Sequence, residues 1–178
     1  MGDRANGLLP ESPDDLGDVR HTLLKLRSTR SEVIAVRDYW NSIQEDCDRY
    51  ETEWCATLHS PERIWYRGPG GFFVLHESGN IVIKGGCRWS GFCTIPELQR
   101  VHAAAFLSIG RALGGSRLIL LPDSQYTDDC LYDGLTQTEY LKRLSEAWGM
   151  ARTEFGIVTT DMDAYYSRPT PVWFLIEL

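Results

Sequence analysis

The chain is short of the features that announce a chemistry. No apolar run approaches the roughly 18 residues that a membrane-spanning helix needs. The opening stretch, MGDRANGLLPESPDD, lacks a basic segment followed by an apolar one, so no secretory signal is read and a cytoplasmic protein is expected. The five cysteines (Cys47, Cys55, Cys87, Cys93, Cys130) are odd in number and dispersed, unlike a disulfide framework. Cys87 and Cys93 enclose a C-x5-C spacing, with no second cysteine pair and no H-x3-H to complete a zinc site. Reduced, half-buried thiols are expected instead. The glycines of RGPGGFF have neither the spacing of a phosphate-binding loop nor its Lys-Ser/Thr, and no G-x-S-x-G nucleophile motif occurs. No repeat and no low-complexity segment appears. Positive charge is scarce as well: 18 Lys and Arg face 25 Asp and Glu, a net charge of −7. That argues against nonspecific nucleic-acid binding and against an anionic membrane surface, and it suits a basic partner.

What is present has the make-up of a globular protein. Hydrophobic residues are 43% and charged residues 24% of 178, enough for one domain spanning 1–178 with a core of its own. Residues 1–12 carry no pattern and are expected to be frayed. Over 13–58 the apolar residues fall at helical spacing. Ser12-Pro13-Asp14-Asp15 reads as a helix start, followed by Leu16, Val19, Leu23 and Leu26. Thr29-x-x-Glu32 reads as a capping box that opens a second helix of about 28 residues, its stripe running from Val33 to Trp54 and Leu58. Its aromatic knobs fit packing on a sheet better than a coiled-coil seam, although a homodimer built on this stripe is a further option.

From Arg63 the period changes to two. Arg63–Arg67, Phe72–Glu77 and Ile81–Gly85 read as three strands of an antiparallel meander. Trp89 and Phe92 are expected to plug the core from the loop that follows. Thr94-x-x-Glu97 and Thr136-x-x-Glu139 read as capping boxes of two further helices. Arg117–Leu121 has no alternation and reads as a strand covered on both faces. Phe155–Thr160 and Val172–Leu178 read as the last strands. The resulting expectation is an α+β fold over 61–178: a mixed, mostly antiparallel sheet of about five to six strands with the N-terminal helical pair and two further helices packed on it.

Charge is concentrated along the chain. Residues 1–122 hold 15 acids and 14 bases, whereas 123–163 hold nine acids and three bases. Two segments of this stretch combine aspartate with tyrosine: Asp123, Tyr126, Asp128, Asp129, Tyr132 and Asp133 in the first, Asp161, Asp163, Tyr165 and Tyr166 in the second. Tyrosine among carboxylates is the make-up of a surface that meets a basic patch. Both segments are expected to be loops. A solvated face that only keeps the chain soluble is the plainer reading of the same residues.

Other chemistries are open but less well provided for. Asp123, Asp161 and Asp163 would form a hard oxygen site for Mg²⁺, Mn²⁺ or Ca²⁺ if their segments ended side by side, as a metal-dependent hydrolase or phosphoryl-transfer enzyme requires. The spacing of Asp123–Gly134 is not that of an EF-hand loop. His21, His59, His76 and His102 are available to pair with a cysteine, yet His102 lies in an apolar stretch and reads as a core histidine. Cys130 stands among aspartates that would raise its pKa.

The leading expectation is therefore a non-enzymatic, acidic protein-binding module with no cofactor. In overall character it is similar in type, without a motif match, to the small acidic α+β immunity proteins of bacterial conflict systems. Its partner would be a basic protein, a toxin being the obvious case.

Overall fold

The period-two alternation after Arg63 produces the meander it predicts. In the computed structural model, which describes residues 4–9, 18–43, 52–60, 63–77, 80–123 and 135–178, strands β3 (Arg63–Arg67), β4 (Phe73–Glu77) and β5 (Asn80–Arg88) pair antiparallel. The register sets Trp65 opposite Leu75 and Leu75 opposite Val82, with Tyr66, Val74 and Ile83 in the next row. Successive side chains point to opposite faces. Ile64, Tyr66, Val74, Ile81 and Ile83 thus enter one core cluster, and Trp65, Leu75 and Val82 the other.

Among the described residues the sheet has seven strands in the order β2 (Cys55–Ser60), β3, β4, β5, β1 (Arg4–Leu9), β6 (Arg117–Pro122), β7 (Phe174–Glu177), with every strand pair antiparallel. The expected frayed N-terminus is overturned by its centre. Residues Arg4–Leu9 form β1, which lies between β5 and β6 (Arg117–Pro122). Ala5 and Leu9 enter the first cluster and Leu8 the second. Gly7 lets Leu118 and Phe106 come close: a Cβ there would lie 3.0 Å from Leu118 and 3.1 Å from Phe106. As expected, β6 is covered on both faces, by Leu118 and Leu120 on one and Ile119 and Leu121 on the other. Strand β7 (Phe174–Glu177) closes this edge against β6.

Helices cover both faces. Helix α1 (Val19–Arg27) is capped by Asp18, whose carboxylate accepts from the Arg20 and His21 amides. The expected start at Ser12–Asp15 lies outside the described residues. Helix α2 (Arg30–Ile43) buries Val33 and Val36. It does not reach Leu58, because Cys55–Ser60 is strand β2, paired with β3. The 3₁₀ turn Pro69–Gly71 packs on α2, and Gly70 makes this possible: its φ is +67°, and a Cβ would lie 2.7 Å from the Val33 carbonyl oxygen. The chain leaves β5 directly into α3 (Trp89–Thr94) and α4 (Pro96–Ala112). Trp89 and Phe92 are core residues as expected, held in a short helix rather than a loop. Among the described helices, α5 (Gln137–Trp148) is the one that packs on the opposite face, through Tyr140 and Leu144.

The stretch Phe155–Thr160 is not a strand. Only an isolated bridge joins this region to the sheet, between Arg152 and Phe174, and the Val158 amide donates to the Cys93 carbonyl on α3 (2.9 Å). Helix α6 (Met162–Tyr166) follows. The fold is α+β, and no helix among the described residues is long and apolar enough to cross a membrane.

Candidate protein-docking surface

Helix α6 has only five residues, too few to be stable by itself. Neighbouring groups fix it. Asp161 caps it, Oδ1 accepting from the amides of Asp163 (2.9 Å) and Ala164 (3.3 Å). The buried Gln99 donates from Nε2 to the carbonyls of Phe92 (3.0 Å) and Gly156 (3.3 Å), tying the preceding segment to α3. Arg152 exchanges backbone hydrogen bonds with Trp173 and Leu175, tying it to β7.

Tyr165 and Tyr166 are adjacent, about 100° apart around a helix, and their rings meet edge to face with centroids 5.5 Å apart. Tyr165 turns inward, packing on the core with its hydroxyl at the Cys93 thiol. Burial pushes that thiol up to about 12, so it stays protonated and serves as a small apolar contact. Tyr166 turns outward. It is 65% exposed and donates to Ser90 Oγ on α3 at 3.2 Å. Met162, 40% exposed, rests with its sulfur 3.2 Å from Thr94 Oγ1. Ile95, next in chain after Thr94, is 45% exposed. The α3–α6 ledge thus presents a tyrosine, a methionine and an isoleucine, with the exposed carboxylates of Asp161 and Asp163 beside them. Neither carboxylate makes an ion pair among the described residues.

Asp123 is elsewhere. It follows β6 and accepts from Asn6 Nδ2 (2.9 Å), while its other oxygen faces Lys84 Nζ (3.6 Å). Asn6 and Lys84 alternate with residues of the α4 face, so this group lies on the α5 face of the sheet, whereas Tyr165 fixes α6 to the other face. The sheet therefore separates Asp123 from Asp161 and Asp163, and the three do not converge as metal ligands. No three His, Cys, Asp or Glu among the described residues are placed to hold a metal ion. Tyr126, Asp128, Asp129, Tyr132 and Asp133 lie outside the described residues.

Of the histidine and cysteine candidates, His102, Cys87 and Cys93 are core residues. His102 is wholly buried, its Nδ1 2.9 Å from the Leu98 carbonyl, and desolvation lowers its pKa to about 4. Cys87 is buried and pushed up to about 12 by the same cause, so it is no nucleophile at neutral pH. Cys87 and Cys93 are free thiols.

No family model, no curated protein and no solved structure matches this chain.

Sequence reasoning singled out Asp161, Asp163, Tyr165 and Tyr166 as candidates but read their segment as a loop, which gave both tyrosines one role, whereas Met162–Tyr166 is helical. It missed Met162 and Ile95, whose exposure follows from the α3–α6 contact and has no signal in local sequence.

Proposed function

We propose that the chain is a non-enzymatic protein-binding module of the inhibitor or immunity type, docking on a basic partner such as a toxin through the α3–α6 ledge. One observation carries this reading: Tyr166 and Met162 stand exposed beside Asp161 and Asp163, which make no ion pair among the described residues, on a helix held in place by its cap and by Tyr165. Tyrosine anchors dominate binding energy where they fill a pocket on a partner, and a fixed side chain loses little entropy in doing so. The aspartates add rate rather than residence, since complementary charge accelerates encounter.

The test uses the partner recovered with the full chain from its native source, then purified. Tyr166→Ala should weaken the complex roughly tenfold or more, mainly through faster dissociation. Asp161→Asn with Asp163→Asn should slow association several-fold at low salt, with the difference closing as salt rises. Asparagine is as good a helix cap as aspartate, so α6 survives the change. Rates unmoved by all three substitutions would show that this ledge is the wrong surface.

A further inference from the structure

A second feature lies at the corner between α1 and α2, away from the ledge. A cleft of about 270 Å³ opens there, lined by Arg27, Arg30, Thr52, Glu53, Trp54 and Pro69. Arg27 ends α1 and Arg30 begins α2. Thr29 between them is fully buried and locked: its hydroxyl donates to the Leu26 carbonyl (2.6 Å) and accepts from Trp54 Nε1 (3.2 Å). The Trp54 indole is wedged against Gly68, where a Cβ would come within 2.7 Å of its ring. Pro69, held by the 3₁₀ turn against α2, is buried as well. The floor is rigid and apolar, and both guanidiniums rise from one locked corner. Among the described residues neither arginine makes an ion pair or a side-chain hydrogen bond, and Glu53 pairs with neither.

We infer that this cleft binds a small phosphomonoester, with the phosphoryl group on Arg27 and Arg30 and the organic portion against Trp54 and Pro69. A guanidinium offers paired donors in a plane, and two of them can share three phosphoryl oxygens, which a single carboxylate could not occupy. The volume is below the usual range for drug-sized ligands, which suits a compact ester rather than a dinucleotide. Glu53 then acts as a brake, since its negative charge on the same rim repels the dianion. None of this depends on the docking surface.

The experiment is calorimetric titration of the full chain with phenyl phosphate and, separately, inorganic phosphate, with the arginine Nε–H signals followed by NMR. Saturable binding with shifts at two arginine signals is expected. Arg27→Gln and Arg30→Gln should each remove one of them and weaken binding roughly tenfold or more. Glu53→Gln should tighten binding several-fold, which a merely structural role would not produce. All three residues are exposed, so circular dichroism should be unchanged. Absence of saturable binding, or binding that survives loss of both arginines, overturns the assignment. Phenyl phosphate binding no more tightly than inorganic phosphate overturns the role given to Trp54 and Pro69.

Discussion

Phe106 rests on two glycines of neighbouring strands. A Cβ at Gly85 would lie 2.7 Å from its ring, and one at Gly7 would lie 3.1 Å from it. Close packing of this kind leaves no room for a methyl group. Gly85→Ala should therefore lower stability by about 1–3 kcal/mol in urea denaturation. Nearby, His102 gives a pH signature. Leu98 offers its ring only a carbonyl acceptor, so Nδ1 carries the proton and the folded ring is neutral. With its pKa lowered to about 4 from the ordinary 6.5, the unfolded chain binds the extra proton first. Stability should be fully present above pH 6.5, fall as pH drops from 6.5 to about 4, and level off below, by up to about 3 kcal/mol. His102→Gln should flatten that part of the profile while carboxylate effects remain. The core role of His102 was legible from its apolar stretch. The glycines were not, because residues 1–12 carry no sequence pattern and the close approach of Phe106 is a tertiary fact.

At the scale of elements, three capping boxes were read and one forms. Thr136 is itself extended (φ −63°, ψ 156°); its hydroxyl accepts from the Glu139 amide while Glu139 accepts from the Thr136 amide. Thr29 and Thr94 come straight off a preceding helical turn, and their hydroxyls donate back to Leu26 and Ser90 instead. The motif works only where the chain arrives extended. Thr136→Ala should cost about 1 kcal/mol, read by denaturation and by faster amide exchange at the start of α5. The second helix was overextended because an i, i+4 pair such as Trp54 and Leu58 suits either a helix or a strand of period two. The meander and β6 were legible since burial and alternation agreed there. The segment Phe155–Thr160 has strand-forming residues, but its backbone is satisfied at α3 and Gln99 rather than at a sheet edge.

At the scale of the molecule, the sheet acts as a partition. It keeps Asp123 with Lys84 on one side and α6 on the other, so charge that clusters in sequence is divided in space. The cationic cleft adjoins the β3–β4 turn, whereas the α6 ledge lies beneath the half of the sheet that ends in β7. Occupying one should leave the other open: saturating phenyl phosphate should not change the rate at which the basic partner dissociates, as read by surface plasmon resonance. The α+β class could be read from the chain; the partition could not, because it depends on where β1 inserts.

That insertion also governs assembly. Arg4 pairs with Arg88 and Ala5 with Pro122, so this segment waits for partners made much later in the chain. Until it docks, the meander on one side and β6–β7 on the other share no hydrogen-bonded border. A chain beginning after Leu9 should lack a cooperative melting transition, and a separate peptide carrying RANGLL should restore it, making the protein divisible into two pieces that report on each other's presence.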